Sequence, residues 1–335
     1  MPWQLLPASQ YHQFHAACDT LNASGYNTPL LDSRFIHHLL TEFGTGQEVL
    51  AINGDINAPT ALTLLLREKN VWSTFQPSQA PIGLWHSHPT ASVSDLMQDL
   101  FSTLPGYPLL IGITQQDPDL LSRPNDQGHI RTLDYIDTAR ISVSESFEDY
   151  WSGRGKNLRR NVKRQKNRLQ RDGITTRLEK STLPSDVDEG VKDYGSLESA
   201  GWKASTGTAV HPDNAQGRFY STMLKAFCET GDGLIYRYWY NDRLVATDLC
   251  IKRDKTLVIL KTTYDESEQV TSPAMLMHYE VFKDIFDQQQ IQRIEFYGRI
   301  MDWHRKWTNE IRTMYHINHY RWRLLPAVQS IFRRS

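Results

Sequence analysis

A serine and a proline open a predicted helix directly after a β-rich stretch in the C-terminal half. Ser272 has the type of an N-cap residue, and Pro273 takes the first helical position, where its missing N–H is not needed. The first backbone N–H groups of a helix are free, and the positive end of the helix dipole lies there. This pattern predicts that Ser272, Pro273, Ala274 and Met275 bind a phosphate or another anion.

The strand before this helix ends in Lys261, Thr262 and Thr263. A free strand edge can pair with amide groups of a ligand as it would with a peptide. We therefore expect these three residues to bind the extended part of a phosphorylated cofactor whose phosphates lie at the helix start. The alternative is an ordinary N-capped helix, because Ser-Pro is a common helix opening.

Carboxylates and a lysine near this segment could perform acid–base chemistry. An amine that attacks a thioester must be neutral, which requires a base, and the tetrahedral oxyanion requires a hydrogen-bond donor. Asp248 lies within the otherwise apolar strand 245–250, where its carboxylate would be desolvated; a solvated, outward-facing residue is the alternative. Asp265, Asp302 and Lys306 are the other catalytic candidates.

Aromatic residues near these groups could line a pocket for the acceptor. Tyr297 and Trp307 are candidates, as is the pair Trp202-Lys203. Core packing is the alternative for each aromatic side chain.

The elements that must position these residues follow the order β-β-β-α-β-α-β. The strands are predicted at 234–240, 244–251, 256–263, 291–297 and 315–325, and the helices from Ser272 and over 302–313. The N-terminal half shows a similar order, with helices over 11–23, 32–43 and 94–104 and strands at 48–52, 61–66, 71–75, 81–85 and 107–113. We interpret the halves as repeats of one α/β (α+β) unit, divided into 1–140 and 141–335; two unrelated α/β domains are the alternative.

A strongly basic helix is predicted over 154–171. Nine of its eighteen residues are Lys or Arg, so the rest of the chain carries −10 while the whole carries −1. Such a face could bind an anionic partner: tRNA, the phosphates of a cofactor, a glycan or a lipid head group. A solvated helix on an acidic protein is the alternative.

Composition restricts the class of protein. The 335 residues are 39% hydrophobic and 22% charged, which is typical of a folded protein of about two domains. The three cysteines show no CxxC spacing, so neither a disulfide framework nor a cysteine zinc site is expected. No signal peptide and no apolar run of ~20 residues is apparent, so the default expectation is a cytoplasmic protein without a transmembrane segment.

Four segments in sequence order resemble the FemAB-like and cellulose-biosynthesis acetyltransferase-like branch of the GNAT acyltransferases. They are Lys156-Asn157-Leu158-Arg159-Arg160-Asn161 with Arg168-Leu169 and Gly173, Leu197-Glu198-Ser199-Ala200-Gly201-Trp202-Lys203 with Gly207-Thr208-Ala209, Lys261-Thr262-Thr263-Tyr264-Asp265 with Ser272-Pro273-Ala274, and Phe296-Tyr297-Gly298 with Asp302 and Lys306-Trp307. The resemblance covers 145–325 well and the N-terminal half in outline.

The resemblance implies tandem GNAT-like domains, the first degenerate, each with a mixed, mostly antiparallel twisted sheet flanked by helices. It implies transfer of an acyl group from acyl-CoA to an amine or hydroxyl of a polysaccharide, an envelope precursor or a peptide, without a metal. The usual glycine-rich phosphate loop is absent, and Ala274 stands where the branch often has glycine. Transfer of an aminoacyl group from tRNA therefore stays open, as does a non-catalytic protein that binds acyl-CoA or RNA.

A second resemblance points to a different chemistry. His86, His88 and Asp95, with Pro89 and Ser92 between them, resemble the JAMM zinc isopeptidase motif. Two histidines and an aspartate are suitable zinc ligands. The motif needs about seven residues between its second His and its Ser, however, and only three stand here. A strand, turn and helix of the N-terminal unit explain the same residues.

Overall fold

The computed structural model describes residues 2–200 and 210–323. The described residues form two compact units: the first comprises the chain up to Asp137 together with 312–323, and the second comprises the chain from Thr138 to Ile311. The first boundary lies close to the division expected at 140. The segment from Arg312 belongs by its contacts to the first unit, however, whereas the sequence interpretation placed it in the second.

The first unit is a mostly antiparallel sheet with helices against it. Its strands run in the order β1-β2-β3-β4-β6-β13, β5 pairs with β3, and of these pairs β4–β6 is parallel. The elements are β1 (Trp3–Pro7), α1 (His15–Leu21), α2 (Ser33–Phe43), β2 (Val49–Asp55), β3 (Ala58–Glu68), β4 (Val71–Thr74), β5 (Trp85–Ser87), α3 (Val93–Thr103), β6 (Leu110–Gln116) and β13 (Ile311–Tyr320).

The second unit has the same kind of architecture, with sheet order β7-β12-β11-β10-β9-β8 and a parallel β11–β12 pair. Its elements are β7 (Ile130–Ser142, the second half of which belongs here), α4 (Phe147–Ser152), α5 (Lys156–Arg171), β8 (Thr176–Ser181), α6 (Val187–Ala200), α7 (Ala215–Cys228), β9 (Gly233–Tyr240), β10 (Arg243–Arg253), β11 (Thr256–Tyr264), α8 (Pro273–Gln288), β12 (Arg293–Glu295) and α9 (Asp302–Trp307). The predicted mixed, mostly antiparallel sheets flanked by helices are confirmed.

Some predicted boundaries were wrong. Helix α9 ends at Trp307 rather than at 313, because the chain is already in β13 at Ile311. The strand expected over 81–85 begins at Trp85. Strands β1, β7 and β8 and helices α6 and α7 were not predicted at all.

The basic helix is α5, and it packs through a narrow apolar stripe. Leu158, Val162 and Leu169 are buried in the core of the second unit, whereas most of the Lys and Arg side chains are exposed. Asp172 follows the helix, and Gly173 has φ +69°, the left-handed conformation that commonly ends a helix. No helix in the described ranges is long and apolar enough to cross a membrane.

Close packing of α6 gives a stability prediction. A Cβ on Gly195 would overlap the Val210 carbonyl oxygen, whereas a Cβ on Gly153 would find its nearest neighbour at 3.5 Å. Gly195→Ala should lower the free energy of unfolding by about 1–3 kcal/mol, because the backbone must move. Gly153 has φ −73°, a conformation that alanine also adopts, so Gly153→Ala should change the free energy of unfolding by less than about 1 kcal/mol. Urea denaturation followed by circular dichroism measures the stability of both variants. Equal effects would contradict the close contact between Gly195 and the Val210 carbonyl.

Candidate functional site

Strands β11 and β12 pair over three residues and then part. The parallel pairing runs from Thr256↔Arg293 to Val258↔Glu295. The chain after β12 stays with β7, since the Phe296 N–H donates to the Ala139 carbonyl at 3.2 Å. Strand β11 continues to Tyr264, and beyond Val258 no strand in the described chain pairs with it on that side. The parting leaves a backbone edge open to an extended ligand.

A bulge and an unusual backbone conformation lie at the parting. Cys250 pairs with Ile259 and Leu249 with Lys261, so Leu260 is an extra residue in β11. Such a bulge bends the strand and is common next to functional sites. Tyr297, two residues after β12, has φ +42°, a conformation that costs a non-glycine residue roughly 1–2 kcal/mol.

Helix α8 begins close to α5. Ser272 is the N-cap residue and its N–H donates to the Oε1 of buried Gln165 on α5 at 2.7 Å, which fixes the helix start. The Ser272 hydroxyl makes no capping bond. The N–H groups of Ala274 and Met275 fall in the first turn, where the helix offers no carbonyl to them. The hydroxyl and these two groups are therefore free to bind an anion.

A cavity of about 860 Å³ lies at this place in the second unit. Its volume is in the range of cofactor sites. It is lined by residues from the start of α5, from α8 and from α9: Gly155, Asn157, Leu158, Arg160, Asn161, Arg164, Met275, Arg305 and Lys306.

The cavity is positively charged and lacks acidic lining residues. Arg160, Arg164, Arg305 and Lys306 have no carboxylate within 4.0 Å among the described residues, although other cations of α5 do. Lys166, for example, pairs with Glu280 at 2.6 Å. Four uncompensated cations beside a helix start make a site for a ligand with several negative charges.

Asp248 is fully buried and pairs with a histidine on α8. Its Oδ2 lies 3.0 Å from His278 Nε2, its Oδ1 has no hydrogen-bond partner, and His278 is only 2% exposed. The structure therefore excludes the outward-facing alternative for Asp248. In strand register Asp248 lies opposite Thr262 on β11.

Aromatic rings enclose His278. Phe282 and Trp303 stack on its ring with centroids at 5.3 and 5.5 Å. His304 stacks in turn on Trp303. Burial, and secondarily the neighbouring His278, lower the pKa of His304 to about 4. The pair Asp248–His278 thus lies in an aromatic, water-poor environment next to the helix that supplies Arg305 and Lys306.

The structure brings some of the predicted residues together. Met275 and Lys306 line the cavity, and Ser272, Pro273 and Ala274 form the adjoining helix start. Lys261, Thr262 and Thr263 lie on the part of β11 beyond its pairing with β12, with Lys261 Nζ 5.8 Å from the Tyr220 ring.

Other predicted residues have different surroundings. Asp265 accepts from Ser267 in the loop after β11 and lies 3.4 Å from Arg243, and Asp302 is exposed at the start of α9. The Trp307 ring packs on Phe282 in the core. Trp202 and Lys203 lie outside the described residues.

Sequence reasoning missed His278, Gln165 and Arg305. A signal existed for His278, because it follows Ser272 by six residues on a helix that was predicted. Nothing in the sequence showed that it faces Asp248.

The three residues of the JAMM-like motif do not form a metal site. His86 is fully buried with Nε2 3.0 Å from the Leu31 carbonyl, while His88 is exposed and contacts Thr90. Ser92 caps α3, and Asp95 lies exposed in the first turn of that helix. In the described ranges no three His, Cys, Asp or Glu side chains are arranged to hold a metal ion.

Residues 156–305 match the family model described as an acetyltransferase (GNAT) domain. A comparison with curated protein sequences gives no match.

Several solved structures share the fold. The structure titled FemX is similar over 99% of this chain and 100% of its own, with a TM-score of 0.60 and 10% identity. The C-terminal domain (DUF2156) of a putative lysylphosphatidylglycerol synthetase from Agrobacterium fabrum is similar over 92% of both chains, with a TM-score of 0.56 and 12% identity. L-PGS from Bacillus licheniformis is similar over 95% of this chain and 96% of its own, with a TM-score of 0.54 and 13% identity.

The chain therefore carries an acetyltransferase domain of the GNAT superfamily, and the predicted superfamily is confirmed. The structure titled FemX shares the fold of this chain. Domain and fold support a transferase.

The depressed pKa of His304 gives a prediction about acid stability. The unfolded chain holds this proton with a pKa near 6.5, so stability should fall as the pH falls from about 6.5 to 4. His304→Asn keeps an acceptor for the Met301 N–H but does not titrate. The stability of this variant should therefore fall less steeply with falling pH than that of the unchanged protein. Urea midpoints at pH 7 and pH 5 measure this, with exposed His12→Asn as the control. An unchanged decline in His304→Asn would contradict the assignment.

Proposed function

We propose that this chain is an acyltransferase that uses acyl-CoA as donor and an amine or hydroxyl as acceptor. The observation that carries the proposal is the cavity with four uncompensated cations at the start of α8. Strand β11, which leaves its pairing with β12 after Val258, precedes the same helix in the chain. The helix start supplies N–H groups, the edge supplies backbone donors and acceptors, and the cavity supplies charge. A donor with a diphosphate, a further phosphate and a chain of amides needs all three.

In the proposed complex the phosphates of the donor lie between α5 and α9. Arg160 and Arg164 of α5 and Arg305 and Lys306 of α9 line the cavity that would hold these phosphates. The diphosphate accepts hydrogen bonds from Ala274, Met275 and the Ser272 hydroxyl. The four cationic side chains supply the positive charge, and the N–H groups of the helix start supply the anchoring, that a glycine-rich loop would otherwise provide.

The amide-bearing arm of the donor would run along Lys261, Thr262 and Thr263 and place the thioester where β11 and β12 part. A β11 backbone N–H would donate to the oxyanion that forms when the acceptor attacks. The acceptor nitrogen or oxygen bonds to the acyl carbon, the carbon–sulfur bond breaks, and the thiolate leaves and is protonated.

Asp248 is the proposed group that controls the acceptor proton, together with His278. When His278 donates its Nε2–H to Asp248, its Nδ1 can accept a proton. Tyr297, at the parting, is proposed to contact the acceptor, as are Trp202, Lys203 and Trp307; Asp265 and Asp302 are weaker catalytic proposals because they lie in a loop and on the surface. Polysaccharides, envelope precursors and peptides all supply suitable amines or hydroxyls.

A second donor is favoured by a separate observation. Lys156, Arg159 and Lys163 on α5 are exposed, lie outside the set of cavity cations and have no carboxylate partner in the described chain. They extend the positive surface beyond the area that a cofactor covers. A larger anion would use this surface: aminoacyl-tRNA as the donor, or a glycan or a lipid head group as a partner. An RNA or acyl-CoA binding protein without turnover would use the same surface.

Charge removal tests the donor site. Arg160→Gln and Arg164→Gln should each raise the Kd for desulfo-acetyl-CoA at least about tenfold, because each removes a charge-assisted contact worth about 1.5–3 kcal/mol. Arg171→Gln, on the same helix but paired with Asp172, is the matched control and should bind normally. Isothermal titration calorimetry measures the three constants.

Two results would contradict the acyl-CoA proposal. One is the absence of binding of any acyl-CoA analogue to the unchanged protein. The other is tight tRNA binding with a steep salt dependence that Lys156→Gln and Lys163→Gln weaken, which would favour the aminoacyl-tRNA donor.

Substitution of Asp248 and Lys306 tests the chemistry. Asp248→Asn should lower kcat at least tenfold with little change in donor Kd, because the amide removes the charge that orients His278. Lys306→Ala should lower turnover at least tenfold through weaker binding of the donor. Thiol release from acetyl-CoA measures both, and thermal melts check folding. Near-normal rates in both variants would remove these residues from the site.

A further inference from the structure

The short helix α9 carries two of the four cations of the donor cavity. Arg305 and Lys306 line this cavity, and both side chains are exposed. The helix has only six residues, Asp302–Trp307. A helix of this length is not stable by itself in water. The position of Arg305 and Lys306 therefore depends on the tertiary contacts that hold α9 in place.

The last residue of α9, Trp307, is anchored through both its ring and its backbone. The ring is 2% exposed and packs on Phe282, with centroids 5.0 Å apart. The carbonyl of a last helical residue has no partner within its own helix. Here it accepts two hydrogen bonds, one from the Tyr150 hydroxyl at 2.7 Å and one from Arg154 Nη1 at 2.6 Å. Tyr150 and Arg154 together form a clasp on the end of α9.

The two side chains of the clasp are themselves held in place. Tyr150 is 3% exposed, and its ring lies 4.6 Å from the Phe286 ring. Burial raises the pKa of the Tyr150 hydroxyl, so this group keeps its proton and donates it to the carbonyl. The Arg154 guanidinium lies over the Tyr150 ring at 4.7 Å, and its Nε donates to the Tyr150 carbonyl at 3.3 Å. The planar guanidinium thus has a fixed direction, and its charge lies at the negative end of the α9 dipole.

The clasp joins the two elements that supply the cavity cations. Arg154 directly precedes Gly155, which lines the cavity and is the N-cap residue of α5. The backbone of Arg154 therefore continues into α5, whereas its guanidinium holds α9. Arg154 is not itself a lining residue of the cavity. Because charge-assisted bonds to phosphate depend on the direction of the donor groups, a displaced α9 would weaken the contacts of its cations with a ligand.

We propose that Tyr150 and Arg154 are positioning residues of the donor site. Their bonds to the Trp307 carbonyl keep Arg305 and Lys306 where these side chains contact the phosphates of the donor. Arg154 acts through α9 and not by contact with the ligand. This role rests on the proposed function for the identity of the donor, but inorganic pyrophosphate tests it without that assumption.

Removal of the clasp without loss of charge is the first test. In the double variant Tyr150→Phe/Arg154→Lys the hydroxyl is missing, and lysine lacks the planar fork that donates to two carbonyls. The Kd for inorganic pyrophosphate and the Kd for desulfo-acetyl-CoA should each rise at least about tenfold, and Tyr150→Phe alone should raise both about threefold. Isothermal titration calorimetry on the full chain measures these constants. Arg171→Lys, on a residue paired with Asp172, is the control and should bind both ligands normally.

A second test separates positioning of α9 from a general loosening of the protein. In a protein that already carries Arg305→Gln and Lys306→Ala, removal of the clasp should raise the Kd by less than about threefold, because the side chains that it positions are gone. In a protein that carries Arg160→Gln and Arg164→Gln instead, removal of the clasp should still raise the Kd about tenfold. The two backgrounds are matched, since each lacks two positive charges of the cavity. Thermal melts without ligand verify that each variant is folded.

Three results would overturn the role of the clasp. These are normal binding of both ligands by the folded double variant, equal effects of clasp removal in the two backgrounds, and binding of neither ligand by the unchanged protein. If the double variant does not fold, normal binding by folded Tyr150→Phe overturns the role instead. Failure of the proposed function is recognised separately, because the unchanged protein would then bind pyrophosphate but no acyl-CoA analogue, and pyrophosphate would still measure the effect of the clasp.

Discussion

The parting of β11 from β12 is the constraint on which the proposed chemistry depends. Three paired residues join the strands, and the Phe296 N–H then bonds to β7, which takes the chain away from β11. The bulge at Leu260 bends β11 on the other side. A sheet that continued to pair would satisfy these backbone groups internally and leave none for a ligand. The local loss of strand pairing thus leaves part of β11 for the ligand in the proposed complex.

Positive charge is the second feature on which the proposed binding of a phosphorylated donor depends. The start of α8 offers N–H groups, but a helix start alone binds anions weakly in water. Here α5 is fixed against α8 by the bond between Gln165 and Ser272, and its arginines face the same cavity as Arg305 and Lys306 of α9. The excess of cations on α5, which offsets an acidic remainder of the chain, is therefore concentrated where a polyanion can use it. In the proposed function, these cations take the place of a glycine-rich phosphate loop.

Local signals predicted part of this arrangement. The pair Ser272-Pro273 predicted the start of α8. The other features depend on long-range packing, which local sequence patterns do not show. Helix α6 was missed because Gly190 and Gly195 weaken a helical pattern and are required by close neighbours, Ile235 and the Val210 carbonyl. The contact between Asp248 and His278 joins residues thirty positions apart, and no periodicity reports it. Strand β13 was placed in the second unit because sequence order does not show that it pairs with β6.

A crystal structure of the protein with a bound desulfo-acyl-CoA analogue tests the central claim most directly. The account predicts diphosphate oxygens within hydrogen-bond distance of the Ala274 and Met275 N–H groups, phosphates between Arg160, Arg164 and Lys306, and ligand amides paired with the β11 edge beyond Val258. An analogue bound elsewhere, with the start of α8 and the edge of β11 unoccupied, would contradict it.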